Sequence, residues 1–219
     1  SGVKYYIKAY VENSYGTYTS ESKSFETKSA GYNFKTNSAS EIDYDSVKLS
    51  SEFNQIEGDA LEISERGFLI STNDDMSSPL TKIDSNTDGN ISVDITSLTT
   101  NTKYYFQAYL INKYSTWTSE VSNFVTKSAV PEFSFDVIDE TIWFDKTKAN
   151  FSMTIPNDVS ITSFNIDIEN LVTGKTTRVD YLDNQPNYKG GTFEYEMTSL
   201  VPNTNFTVTM ILENPYGTF

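Results

Sequence analysis

The chain has 219 residues, and its 30 acidic and 16 basic side chains give a formal net charge of −14 at pH 7. A surface this negative repels phosphate backbones, so we expect no nucleic-acid binding. The chain contains neither His nor Cys, which excludes Cys–His and Ser–His catalysis and the common zinc ligands.

Hydrophobic residues make up 37% of the chain and aromatic residues 14%, which is enough to build cores. A disordered chain of this charge would be poorer in Tyr, Phe and Ile. No apolar stretch reaches the roughly 18 residues of a membrane helix, so we expect no membrane insertion. Paired carboxylates could still catalyse hydrolysis, but no pair stands out from the general acidity. We therefore expect that the chain is not an enzyme.

One segment of the sequence recurs at intervals of about 100 residues. Residues 4–30 and 103–129 are identical at 16 of 27 aligned positions, and a weaker third copy starts at Asn203. A period of this length is domain-sized, because solenoid repeats run only about 20–50 residues. The copies predict three domains: residues 1–30 as the C-terminal hairpin (strands F and G) of a truncated domain, 31–128 as a complete domain, and 129–219 as a variant domain lacking its last strand.

The first copy predicts a β-hairpin. Tyr5, Ile7, Ala9 and Val11 recur with a period of two, which indicates a strand with these four side chains directed inward. A turn over residues 13–16 follows, where Asn and Gly tolerate left-handed backbone. A second strand completes the hairpin.

Further strands are predicted in the other two domains. In the middle domain they lie at Val47–Phe53, Glu65–Ser71, Ile91–Ile95 and Lys103–Asn112, the last with Tyr104, Phe106, Ala108 and Leu110 inward. In the last domain they lie at Phe133–Val137, Ala149–Ile155, Phe164–Ile168, Thr176–Tyr181 and Phe193–Met197, followed by Phe206, Val208, Met210 and Leu212 inward. Many short strands with frequent turn signals are typical of a β-sandwich.

Two segments carry a family signature. Leu98–Tyr104 (LTTNTKY) and Leu200–Phe206 (LVPNTNF) resemble the L-x-P-x-T-x-Y motif of fibronectin type III domains. The resemblance implies that the Leu packs under the corner between strands E and F, and that the Tyr104 hydroxyl bonds to backbone upstream. Phe206 cannot make that bond, and the family's usual Trp on strand B is absent.

The resemblance implies an all-β chain of tandem Ig-like/fibronectin type III β-sandwiches. The Tyr-Tyr-x-x-Ala-Tyr-x-x-Asn pattern of the first two copies, together with Glu65–Phe68, is similar to the variety found in bacterial surface proteins and phage structural proteins. Since one fold hosts many functions, the role that this similarity implies is an analogy.

Aromatic residues outside the predicted core are the first candidate ligand contacts. Tyr6 and Tyr10 in the first copy, and Tyr105 and Tyr109 in the second, alternate with the inward residues. Trp117 follows the turn of the second copy, and Trp143 lies near one end of the last domain. Tyr is a common contact residue at interfaces, but outer-face tyrosines also cover the sheet by pairing across strands.

An acidic stretch mimics the start of a calcium loop. Asp84, Asn86, Asp88, Asn90 and Asp94 offer oxygen ligands around Gly89. The position that should hold the bidentate acid is Ile95, and residues 91–95 read as a strand rather than a helix. An ordinary acidic turn is the alternative, as it is for the acids at residues 73–75. We expect no cofactor beyond this weak calcium possibility.

Short linkers between the predicted domains, one of them containing Pro131, predict a semi-rigid rod. The leading functional interpretation is a non-catalytic extracellular adhesion or spacer segment of a bacterial multidomain surface protein. The alternatives are a bacteriophage virion protein (tail, fibre or capsid decoration) and a carbohydrate-binding accessory module of a secreted glycosidase. The expected location is extracellular, at a cell or virion surface.

The expected partners are a protein or glycan at that surface, and neighbouring domains or copies of the same protein. A domain without its last strand would expose an unpaired edge, and such edges recruit strands. Either neighbouring chains complete one another or the protein continues in both directions, and we favour the second expectation.

Overall fold

The computed structural model describes residues 2–57, 61–86, 89–181 and 190–219. The chain divides into two compact units, residues 1–127 and 128–219, and each is described by itself. Within the described ranges, no helix is long and apolar enough to cross a bilayer.

The first unit contains twelve strands among its described residues. They are β1 (Lys4–Ile7), β2 (Tyr10–Asn13), β3 (Gly16–Thr19), β4 (Lys23–Glu26), β5 (Tyr32–Ser40), β6 (Val47–Gln55), β7 (Ile63–Ser71), β8 (Leu80–Ile83), β9 (Ile91–Ile95), β10 (Lys103–Asn112), β11 (Thr116–Thr118) and β12 (Ser122–Val125). We call β1–β4 the N-terminal segment and β5–β12 the first sandwich. The strands of each pair only within their own group among the described residues.

The first sandwich consists of two antiparallel sheets. One has the order β5-β6-β9, and the other has the order β11-β10-β7-β8 with β12 also paired to β10. The side chains predicted to face inward from β10 are buried between the sheets, together with Leu49 and Phe68. The alternation therefore identified the core face of this strand correctly, because successive side chains of a strand point to opposite faces.

The E–F corner of the first sandwich has the bond that the family resemblance implies. The Thr99 N–H donates to the Tyr104 hydroxyl oxygen at 2.9 Å. Ser97 and Asn101 flank this bond with φ of 65° and 49°, in the left-handed region. Ser199 and Asn203 repeat those angles in the second unit, at 61° and 54°. The two corners thus share left-handed backbone at the same two positions.

The N-terminal segment corrects one prediction. Tyr5, Ile7, Ala9 and Val11 are exposed rather than inward. The segment folds as one interrupted hairpin, in which β2 pairs with β3 next to the turn and β1 pairs with β4 further from it. No further strand among the described residues opposes this face, so the inward pattern has nothing to pack against. The same pattern is buried in β10 because β6 and β9 lie across from it.

The second unit forms a second sandwich. Its strands are β13 (Glu132–Val137), β14 (Thr147–Thr154), β15 (Ser163–Asn170), β16 (Thr176–Asp180), β17 (Gly191–Met197), β18 (Phe206–Asn214) and β19 (Gly217–Thr218), with a short 3-10 helix at Asp139–Thr141. The two sheets have the orders β13-β14-β17 and β16-β15-β18-β19. All six strand regions predicted here are confirmed.

Aromatic side chains build much of the second core. Phe151 stacks between Phe135 and Phe193, with ring centroids 5.6 and 5.2 Å apart, across the three strands of one sheet. Phe164 from the opposite sheet meets Phe193 edge-on at 5.8 Å. Such pairs contribute about 0.5–1.5 kcal/mol beyond area burial, so this stack supports the sandwich without a Trp on strand B.

Candidate functional site

The tyrosines of the N-terminal segment lie at the surface, as predicted. Tyr6 on β1 and Tyr10 on β2 are both largely exposed. The Lys4 ammonium lies 5.7 Å from the centre of the Tyr6 ring. A cation over an aromatic face is a favourable but weak contact at an exposed site. The two rings are therefore available for contact with another molecule.

The corresponding pair in the first sandwich behaves differently. Tyr105 is half-buried, and the Lys103 ammonium lies 4.9 Å from its ring centre. Tyr109 is buried, with only 3% of its surface exposed, whereas Tyr10 is 75% exposed. The prediction that Tyr109 lies on an exposed face is therefore wrong.

The Tyr109 side chain lies against the neighbouring strand β7 and makes a polar contact there. Its hydroxyl donates to Glu65 Oε1 at 2.7 Å. Gly67 lies directly opposite on β7 and carries no side chain to hold the ring outward. Burial raises the pKa of Tyr109 above its ordinary value, and the hydrogen bond with Glu65 raises this pKa further. Tyr109 is thus a structural residue that a ligand cannot reach without disturbing the sheet.

Trp117 also packs inside the first sandwich. It lies on β11, is half-buried, and meets Tyr32 edge-on with ring centroids 5.8 Å apart. It also contacts the buried core cluster. Trp117 therefore contributes mainly to packing.

Asp84, the first residue of the predicted calcium loop, is engaged in a buried ion pair. Its Oδ2 lies 3.2 Å from the Arg66 guanidinium, and 1% of the Asp84 side chain is exposed. The Asn86 N–H donates to Asp84 Oδ1, and the Ser92 N–H donates to Oδ2. Arg66 also donates to the Gly89 carbonyl at 2.8 Å. The carboxylate therefore fastens the β8–β9 connection to the central strand β7.

The other predicted calcium ligands that the structure describes differ from Asp84 in their exposure. Asn86, Asn90 and Asp94 are exposed, and Asp88 lies outside the described residues. Within the part of the chain that the structure describes, no three acidic side chains lie close enough to hold a metal ion. A cation at Asp84 would have to displace the Arg66 guanidinium. The calcium site stays a prediction, and the geometry of Asp84 disfavours it.

In the acidic stretch at residues 73–75, Asp75 stabilises a turn. Asp75 Oδ1 accepts a hydrogen bond from the Ser77 N–H at 2.8 Å. Hydrogen bonds from Ser77 lower the pKa of Asp75. A side chain that caps its own turn in this way is common where Asp occurs in loops.

One repeated contact was not predicted from the sequence. Asn112 is buried at the turn after β10, and its Nδ2 donates to the Ala30 carbonyl at 3.2 Å. Asn214 repeats this after β18, donating to the Ala129 carbonyl at 3.0 Å. In each case the side-chain oxygen accepts from the backbone two residues on. The recurrence of Asn at this turn in all three copies was the available signal.

An exposed apolar run marks one end of the second sandwich. Ile142, Trp143 and Phe144 are all largely exposed in the turn before β14. The corresponding turn of the first sandwich places Tyr44 in a buried position below Lys127, whose ammonium is 5.5 Å from the ring centre. Contiguous exposed apolar side chains often mark interaction surfaces.

No protein-family model matches the chain, and no curated protein matches it. Among solved structures, the chain is similar to the two fibronectin type-III domain segment from chicken tenascin, with 15% sequence identity and a TM-score of 0.32. That similarity covers 85% of this chain and 94% of the tenascin chain. The assignment of the fold rests on the chain's own strand order, registers and E–F corner. These features make the chain a tandem of fibronectin type III-like β-sandwiches.

Proposed function

We propose that the chain is a non-catalytic adhesion or spacer segment of an extracellular multidomain surface protein. The proposal is supported by the way in which polar side chains are used. Asp84 is held by Arg66, Asp167 by Arg178, and Glu194 by Lys148. These carboxylates support sheets and turns rather than converging on a cleft.

The single observation that carries the spacer role is the repeated asparagine contact. Asn112 at the end of β10 and Asn214 at the end of β18 each bond to a residue two or three positions before the first strand of the same sandwich. Each contact joins residues more than 80 positions apart in the chain. In a tandem array, tension enters a sandwich at that residue. A buried amide that holds it raises the resistance of the sandwich to being peeled open from its N-terminal side.

Single-molecule stretching of the intact chain tests this role. We expect discrete unfolding events, and we expect Asn112→Asp to lower the unfolding force of the first sandwich. Asp keeps an oxygen for the Tyr114 N–H but loses the donor to Ala30 and places an anion beside a carbonyl. Asn13→Asp is the matched control, because Asn13 occupies the same turn in the exposed N-terminal segment.

Two results would contradict the spacer role. One is extension of the native chain without a discrete unfolding event. The other is an equal loss of force in the Asn13 and Asn112 variants, since only Asn112 holds the start of a sandwich.

A carbohydrate-binding role is the second candidate, and the exposure of Tyr6 and Tyr10 favours it. Exposed aromatic faces with polar edges suit sugar rings. Glycan-array binding of the intact chain should disappear in a Tyr6→Ala, Tyr10→Ala double variant. Tyr15→Ala is the control, because Tyr15 is an exposed tyrosine in the turn between β2 and β3. Binding that survives the double variant would remove this candidate.

Localisation at a bacterial cell surface or on a virion belongs to the same proposal. Antibody labelling of intact cells and of purified particles separates these two contexts. Labelling of cells supports the surface-protein role, and labelling of particles alone supports the virion role.

A further inference from the structure

A groove of about 410 Å³ opens on the second sandwich, between the edge strands β16 and β17. Its apolar lining comes from both sheets and from the E–F corner: Ile168, Val179, Tyr195, Leu200, Val201 and Phe206. Ligand pockets typically have volumes of about 300–1,000 Å³ and a mostly apolar lining with a few polar groups. The groove falls within this size range, and the other half of its described lining is polar: Asn170, Thr173, Lys175, Thr177, Thr198 and Ser199.

Phe206 leaves a backbone N–H beside this groove without an acceptor in the described parts of the chain. In the first sandwich, the Thr99 N–H donates to the hydroxyl of Tyr104. The repeat places Val201 at the position of Thr99 and Phe206 at the position of Tyr104. The Phe ring brings no oxygen, and the Val201 N–H has no acceptor among the residues that the structure describes. Val201 and Phe206 both line the groove, and Val201 is 53% exposed, so a ligand in the groove would compete with water for this N–H.

The charge of the groove is opposite to that of the chain. Lys175 is part of the lining, and no acidic residue is among the described lining residues. The Lys175 ammonium forms no ion pair within the described parts of the chain. Lys175 is thus the one charged group among the described lining residues, and it is the group that could pair with an anion in the groove.

We propose that this groove binds a small aromatic carboxylate. The ring lies against the apolar floor around Leu200 and Phe206, and Lys175 pairs with the carboxylate. The Val201 N–H donates to an oxygen of the ligand, which takes the place that the tyrosine hydroxyl has in the first sandwich. This inference goes beyond the adhesion or spacer role and does not depend on it.

Titration of the ¹⁵N-labelled intact chain with phenylacetate tests the proposal. We expect saturable amide shifts at Val201 and its neighbours, with half-saturation below about 10 mM, the weak range for a ligand this small. Phe206→Tyr introduces a hydroxyl that can accept the Val201 N–H and so compete with the ligand for this donor. It should weaken binding about tenfold, since a hydrogen bond to a charged carboxylate is stronger than one between neutral groups. Lys175→Gln should weaken it to a similar extent.

The controls separate binding from folding. Tyr104→Phe makes the reverse change in the first sandwich and should leave the titration unchanged. Phe206→Tyr introduces the residue that the first sandwich carries at this position, so it should fold. Phenylacetamide has the same ring without the charge, and equal binding of it would overturn the assignment of a carboxylate. Half-saturation above about 10 mM, or unchanged affinity in either the Phe206→Tyr or the Lys175→Gln variant, would overturn the site.

Discussion

Arg66 and Asp84 form an ion pair that is almost completely withdrawn from water. Their charged atoms are 3.2 Å apart, and their side chains are 3% and 1% exposed. The guanidinium also lies 5.9 Å from the Phe53 ring. The pair joins the central strand β7 to the connection that leads into β9, and thus links the two sheets of the first sandwich.

Asp84→Asn should destabilise the first sandwich by about 3–5 kcal/mol, because it leaves the buried Arg66 charge without its counterion. The double substitution Arg66→Met, Asp84→Leu should cost less than the sum of the two single changes, since it removes both charges. Urea unfolding measured in a Trp143→Phe background follows Trp117 alone, the one Trp of the first sandwich. A cost below about 1 kcal/mol for Asp84→Asn would contradict this prediction.

Tyr104→Phe should destabilise the first sandwich by about 1–3 kcal/mol, because the Thr99 N–H loses its acceptor. Phe206→Tyr should stabilise the second sandwich by about 0.5–1.5 kcal/mol by adding the same bond. Native-state hydrogen exchange measures the two sandwiches separately in one sample. The prediction fails if the two substitutions change stability in the same direction.

Phe124→Ala and Phe25→Ala compare the same residue in two copies. Both rings stack on a Tyr, with centroids 5.6 Å apart for Phe124 and 5.5 Å apart for Phe25. Phe124 is 4% exposed and Phe25 is 53% exposed. We expect a loss of about 3–5 kcal/mol for Phe124→Ala and less than about 1 kcal/mol for Phe25→Ala. Urea denaturation measures the free energy of unfolding of each variant. Similar losses in the two variants would show that the face of the N-terminal segment that carries Phe25 is covered in solution.

The first sandwich should lose stability in alkaline solution through Tyr109. Its pKa is raised in the folded state by burial and by Glu65. The stability that its neutral form contributes is complete below the unfolded pKa of about 10 and is lost as the pH rises above it. Tyr109→Phe should flatten the fall in urea midpoint between about pH 9 and 11. Tyr10→Phe is the control, and an unchanged slope in the Tyr109 variant would refute the assignment.

The periodicity of β10 was sufficient to identify the core of the first sandwich. Tyr104, Phe106, Ala108 and Leu110 are buried as predicted, because alternate side chains of a strand share one face whatever lies beyond it. The L-x-P-x-T-x-Y resemblance also predicted the Tyr104 corner bond, which depends on residues only five positions apart.

The candidate sites were less predictable. Tyr10 and Tyr109 have nearly the same local sequence, yet one is exposed and the other is buried. Asp84 resembled a calcium ligand because its partner, Arg66, is eighteen residues earlier in the sequence, on strand β7. Contacts between distant segments leave no pattern in a single sequence, so the partner of a polar side chain could not be inferred.

The amino-acid sequence by itself determined the all-β class, the repeat and the inward faces of β10 and β18. Each of these follows from side-chain spacing along one strand or from comparison of the copies. Only the tertiary structure decided which of the matching faces are covered, that Arg66 pairs with the Asp84 carboxylate, and that the Val201 N–H has no acceptor among the described residues. Burial and hydrogen-bond pairing depend on what lies across from a residue, and that is a property of the assembled sheets.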